Sequence, residues 1–146
     1  MVTGEFRNAL DDKGRLLIPA KLRSSIAGES LVLTRGLDRC LWLFPPDEWN
    51  KISEKLLTTI SPFQQKARLI QRRIVAPAQE IEIDKAGRIT IPQAMREFAG
   101  FEKDILILGI QKYIELWDVS EYEKYWDEHE DEFNEAAEEI GDSLLF

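Results

Sequence analysis

The chain has 146 residues, with 19 Lys and Arg against 27 Asp and Glu and a formal net charge of -8, a balance that argues against general affinity for nucleic acid. Hydrophobic residues at 44% and charged residues at 32% lie in the globular range, and the length predicts one domain or two very small ones. Apolar runs such as 105–110 fall well short of the roughly 20 residues of a membrane-spanning helix, while a single Cys40 and a single His129 leave no internal disulfide and no His-rich metal site.

Met1 is followed by Glu5, Arg7, Asp11 and Asp12 rather than by a basic segment and an apolar one, so a cytoplasmic location is expected. A short strand over 6–10 runs into the turn Asp11-Asp12-Lys13-Gly14 and then into an apolar strand over 15–18 that Pro19 ends, which predicts a hairpin. Gly14 can take the positive φ of a tight turn, and Asp11 can hydrogen-bond its backbone. Pro19 suits the first turn of a helix over 20–26, with Leu22 and Ile26 at helical spacing. Strands over 31–34 and 40–44 flank a turn at 36–39, and a longer helix opens at 45–49. Asp or Ser caps are expected on both long helices. A connector over 61–73 reads as helical and then extended through 74–77.

The same order of patterns then returns: a strand at 80–83, the turn Asp84-Lys85-Ala86-Gly87, a strand at 88–91 ended by Pro92, and a helix over 93–98. Strands at 105–108 and 113–117 and a long helix from 118 onward complete it. An offset of 73 without gaps carries Arg15 onto Arg88, Leu33 onto Leu106, Gly36 onto Gly109 and Leu43 onto Leu116. This predicts a tandem duplication with units at 1–60 and 77–146, joined by a connector at 61–76. Four short strands and a short helix bury too little apolar surface to stand alone, so the two units must share a core. The expected fold is α+β, mainly β: a pseudo-symmetric small barrel flanked by helices.

The charge divides with the chain. Residues 118–146 hold 12 acidic residues and one basic, Lys124, whereas residues 1–117 hold 15 acidic and 18 basic. A mildly basic body thus carries a strongly acidic tail.

The Gly4-Glu5-Phe6 start, the paired Asp11/Arg15 and Asp84/Arg88 turns, the run from Leu33 through Gly36 and Asp38 to Leu41, and Ile114-Glu115-Leu116-Trp117 together resemble the bacterial MraZ family over nearly the whole chain. One such turn alone would suggest only the wider AbrB/MazE/SpoVT group of swapped-hairpin DNA-binding domains. The resemblance implies a double-split β-barrel built from two SpoVT-AbrB-like units, assembly of subunits into rings, and a nucleoid-associated transcriptional regulator. Its implied targets are direct repeats in double-stranded DNA upstream of the division and cell-wall gene cluster, its own promoter included, with repression as the expected outcome.

Lys13 and Arg15, or Lys85 and Arg88, stand at or beside a turn where a two-stranded ribbon can enter the major groove and an Arg fork can meet guanine O6 and N7. Asp11 and Asp84, with Gly14 and Gly87, are expected to organise the turns and orient the guanidinium groups. Spacing alone equally allows Asp11/Arg15 and Asp84/Arg88 to be ion pairs that merely close the turns. Arg7, Lys21 and Arg23 are candidate phosphate contacts in the first unit. In the second unit Arg7, Lys13 and Lys21 become Glu80, Ala86 and Ala94, so the copies are not equivalent and Arg15 is favoured over Arg88 as the principal contact.

Lys66, Arg68, Arg72 and Arg73 make the connector basic and could add phosphate contacts, with ion pairs within or between subunits the favoured reading, and Trp42, Trp49, Trp117 and Trp126 are assigned to packing rather than to a stacking platform. In the tail, Tyr122, Tyr125, Trp126, Phe133, Ala136, Ala137 and Ile140 recur at helical spacing and predict an amphipathic helix laid on a partner surface, ahead of an apolar end at Leu144, Leu145 and Phe146. An alternative is an antitoxin-like module whose acidic tail orders on a basic protein. No base, nucleophile pair, metal-ligand set, cofactor or small-molecule substrate is evident, so an enzyme is not expected.

Overall fold

The computed structural model describes residues 3–26, 28–59 and 61–144; Leu145, Phe146 and the Leu144 side chain, the expected apolar end, lie outside the described set. The elements run β1 (Thr3–Ala9), β2 (Arg15–Leu17), α1 (Ala20–Arg23), β3 (Ser30–Arg35), β4 (Leu41–Phe44), α2 (Pro46–Thr59), α3 (Gln65–Ile70), β5 (Gln79–Glu82), β6 (Arg88–Thr90), α4 (Gln93–Ala99), β7 (Asp104–Ile110), β8 (Ile114–Asp118) and α5 (Val119–Leu144). A π-helical turn over Gln71–Val75 continues α3, and Ala76 keeps αR geometry. The connector is therefore helical where an extended run through 74–77 is expected. Buried Thr34 donates its hydroxyl to the Ile74 carbonyl and fixes the connector against β3.

Six strands form one sheet in the order β1-β7-β8-β4-β3-β5, and β2 and β6 form a separate two-stranded ribbon. All pairings are antiparallel. The hairpins β3/β4 and β7/β8 match expectation, but the first hairpin of each unit does not form. Instead β1 pairs with β7, β5 with β3, and β2 with β6, so every one of these strands finds its partner in the other unit. The turns themselves are real: the Gly14 amide donates to the Asp11 carbonyl at 3.0 Å and the Asp11 amide to the Arg15 carbonyl at 3.0 Å, with 2.9 Å equivalents at Gly87 and Asp84. Beyond each turn the two strands diverge, one into the sheet and one into the ribbon.

Strand register also corrects the gapless repeat. Leu33 faces Leu43, and it is Ile107, not Leu106, that faces Leu116. Leu43 and Leu116 are 73 positions apart, whereas Leu33 and Ile107 are 74 apart. Burial agrees, since Leu31, Leu33, Ile105 and Ile107 are all fully buried. The second unit gains one residue between its turn and β7, where α4 is longer than α1. It loses one in the β7/β8 turn: the closing amide-to-carbonyl bond spans Gly36 to Cys40 in the first unit but Ile110 to Tyr113 in the second. Gln111 takes φ 59° in that tighter loop.

A single core draws from both units. Leu16, Ile18 and Leu22 from the first turn region pack with Ile89, Ile91 and Met95 from the second, against Leu31, Leu33, Leu41, Leu43, Ile105, Ile107 and Leu116 of the sheet. The ribbon therefore lies over one face of the sheet. The other face carries Cys40, Leu108 and Trp117 with Leu106, Trp42, Tyr122 and Tyr125, which seats the start of α5; the Trp117 ring lies 5.2 Å from Tyr122 and 5.1 Å from Tyr125. Burial raises the Cys40 thiol well above its usual pKa, which keeps it protonated and unreactive. Beyond His129, α5 leaves the body and residues 130–140 are all exposed.

Candidate nucleic-acid interface

Each turn is built by one carboxylate. Asp11 Oδ1 accepts the amides of Lys13 and Arg15, both at 2.9 Å, and its Oδ2 accepts the Arg15 Nε at 2.6 Å. Asp84 repeats this with the amides of Ala86 at 2.9 Å and Arg88 at 2.8 Å, and the Arg88 Nε at 2.9 Å. The backbone N–H of Arg15, joined by the Arg15 side chain, holds the Asp11 carboxyl below its ordinary pKa; the Arg88 amide and side chain do the same for Asp84. Each carboxylate thus closes its turn and engages only the Nε edge of its arginine. The Nη groups of Arg15 and Arg88 make no hydrogen bond among the described residues, so the fork stays open to a ligand.

Gly14 (φ +76°) and Gly87 (φ +86°) supply the left-handed step. Both are also places of close approach between units. A Cβ on Gly87 would sit 2.6 Å from the Arg23 Cζ, and one on Gly14 would sit 2.9 Å from the Arg96 Cζ. Arg23 also donates its Nε to the Ile18 carbonyl at 2.8 Å. Its guanidinium therefore braces the turn of the opposite unit rather than standing free. Arg96, absent from the expected set, is the counterpart brace at the first turn, and its buried Nε has no partner among the described residues.

The ribbon register decides what the turns present. Arg15 stands opposite Thr90, Leu16 opposite Ile89 and Leu17 opposite Arg88; residues directly opposite share a face and alternate residues share it along a strand. One face is therefore Leu16 and Ile89, both fully buried. The other is Arg15, Leu17, Arg88 and Thr90, all wholly or partly exposed. The two arginines are diagonal neighbours, roughly 7–8 Å apart at the backbone. Lys13 and Lys85 are exposed on the turns at the two ends, and Lys21 is exposed on α1. Arg7 is exposed on β1 opposite Leu106, and Leu106 belongs to the cluster on the sheet face turned away from the ribbon. The structure thus gathers Arg15, Arg88, Lys13 and Lys85, leaves Arg7 on another face, and gives Arg23 intramolecular partners. Leu17 and Thr90, which complete the ribbon's outer face, carry no motif that marks them in the sequence.

Two cross-paired repeats that share one core and present a two-stranded ribbon with a basic outer face define a tandem α+β protein whose units exchange strands. The family model described as "MraZ protein, putative antitoxin-like" matches residues 1–73 and again 74–143. The chain is 52% identical over 141 residues to the transcriptional regulator MraZ of Treponema denticola, covering 97% of this chain and 98% of that one. It is 42% identical over 143 residues to the Treponema pallidum protein of the same name, covering 98% and 96%, and 39% identical over 142 residues to that of Natranaerobius thermophilus, covering 97% and 98%. The chain belongs to the MraZ family.

Proposed function

We propose that the protein is a sequence-specific, double-stranded-DNA-binding transcriptional regulator that acts from the outer face of the β2/β6 ribbon. The observation that carries this reading is the presence on one ribbon face of two arginines, each held through Nε by a carboxylate four residues earlier. Their backbone separation of roughly 7–8 Å is close to two base-pair steps at about 3.4 Å each, so both forks can reach guanine edges in one major groove. Lys13 and Lys85 flank them as phosphate contacts, with Lys21 on α1 beside them; Arg7 joins only if DNA wraps to the edge strand. Kinship to proteins named transcriptional regulators supports the same reading. We take the open sheet and ribbon as the two parts of a double-split β-barrel. The chain is divided as 1–60, 61–76 and 77–146.

The site in DNA is read as direct repeats upstream of the division and cell-wall genes, with the protein's own promoter among them, and occupancy as repression in the nucleoid. One ribbon spans few base pairs, so several subunits of a ring engaging several repeats would supply affinity through effective concentration. Exposed apolar residues on distal α5, Phe133 and Ile140, and on the connector, Phe63 and Leu69, support such self-assembly. So does their charge: the surface around Phe133 is acidic, and Lys66, Arg72 and Arg73 beside Leu69 make no ion pair among the described residues. A tail that orders only on a basic partner protein is less favoured, because α5 is one helix from Val119 to Leu144 in the unpartnered chain.

The decisive experiment is titration of the native upstream DNA with wild type and Arg15→Ala at fixed salt. Loss of one bidentate contact should weaken binding by about 1–3 kcal/mol per engaged ribbon. Unchanged affinity would remove Arg15 from the interface.

A further inference from the structure

The pseudo-two-fold axis of the ribbon passes between Leu16 and Ile89, which face each other and are 73 positions apart. Were the two units identical, the outer face would present the same pair of side chains at each end and would read a palindrome. It does not. One end shows Arg15 beside Thr90; the other shows Arg88 beside Leu17. Leu17 is 41% exposed, a large apolar side chain directly opposite Arg88 and two residues along the strand from Arg15 on the ribbon's outer face.

Its placement is also fixed. The Asn8 side-chain amide donates to the Leu17 carbonyl at 2.7 Å, whereas the residue in the matching place of the second unit, Ile81, has no side-chain donor. The turns break the symmetry in the same sense, with Lys13 replaced by Ala86 and Asp12 by Lys85.

Resting on the ribbon as the DNA-binding surface, we propose that Leu17 and Thr90 are the residues that make its sequence reading directional. Leu17 offers only methyl groups, which fit the thymine C5 methyl and leave any base-edge donor or acceptor beneath it unpaired. Thr90 offers a methyl and a hydroxyl that both donates and accepts, so it tolerates more than one base at the corresponding position. The two arginines then set a pair of guanine contacts common to both ends, and the Leu17 end alone adds a strict thymine step. The bound site is consequently asymmetric and the protein has one preferred orientation on it.

The test is selection from random duplex DNA by full-length wild type, Leu17→Thr, Thr90→Leu and the exchange Leu17→Thr/Thr90→Leu, with Arg15→Ala in parallel. Leu17→Thr should relax the thymine position and make the selected site more nearly palindromic. Thr90→Leu should impose a second thymine, and the exchange should invert the preferred orientation. Affinity of Leu17→Thr for the wild-type site should fall about four-fold per methyl group withdrawn from contact, with an unchanged salt slope, since no phosphate contact is altered. If all four proteins select one and the same site while Arg15→Ala does not, the directional role of Leu17 and Thr90 is overturned and the ribbon remains the reading surface. If Arg15→Ala also selects the wild-type site, the ribbon reading falls and this inference falls with it.

Discussion

Substituting Gly87 by alanine tests the brace between the two units. Its φ of +86° costs an L-residue about 1–2 kcal/mol. The new Cβ would also lie 2.6 Å from the Arg23 Cζ and Nη1 and 2.8 Å from its Nε. The guanidinium must therefore move, and in moving it loses the 2.8 Å bond to the Ile18 carbonyl, worth about 1 kcal/mol. Gly87→Ala should destabilise the protein by about 2–3 kcal/mol in total. In an Arg23→Ala background only the backbone cost remains, so the coupling in a double-mutant cycle should be about 1 kcal/mol. Gly14→Ala against Arg96→Ala should couple more weakly, because the Arg96 Nε has no bond to lose. Urea unfolding at one protein concentration, which holds self-association constant, reads all of these values. Equal costs for Gly87→Ala with and without Arg23 would refute the brace.

Thr34→Val keeps the shape of a buried side chain but leaves the Ile74 carbonyl without that donor; a loss of about 1–3 kcal/mol by thermal unfolding is expected. Asp11 and Asp84 have depressed pKa values when folded, so their contribution is complete above the ordinary carboxylate value of about 3.9 and disappears as pH falls through the lower folded values. Stability plotted against pH should be flatter below about pH 4 in Asp11→Asn/Asp84→Asn than in wild type. Deleting residues 130–146 should reduce oligomer size by light scattering and weaken DNA binding through lost avidity; both unchanged would dismiss the tail from assembly.

The duplication was visible in the sequence because turn chemistry is local: Asp, Gly and Arg must stand at fixed spacing for one carboxylate to collect two amides and an Nε. What joins to what was not visible. Asp11–Gly14 is a genuine turn, yet it does not decide whether the strands on either side pair with each other, and here they enter different layers. The slip from offset 73 to 74 was hidden because Leu106 and Ile107 are both apolar, and only register and burial distinguish which of them faces the core. Arg23 read as a free cation for a similar reason: sequence does not reveal that a glycine of the other unit leaves room for its guanidinium. The joining of Arg15 and Arg88 on one face follows from β2 pairing with β6, a contact between residues 73 positions apart.

The exchange of strands also sets the order in which the molecule can come into being. β1, the first strand made, has its sheet partner at Asp104–Ile110, so a growing chain must hold residues 3–9 unpaired until some hundred further residues have left the ribosome. At about 5–20 residues per second that interval lasts seconds, and closing so long a loop makes for slow folding. During it the first unit has its β3/β4 hairpin but neither the ribbon partner of β2 nor the sheet partner of β1, and the outer face that carries both Arg15 and Arg88 does not exist until the second unit is made.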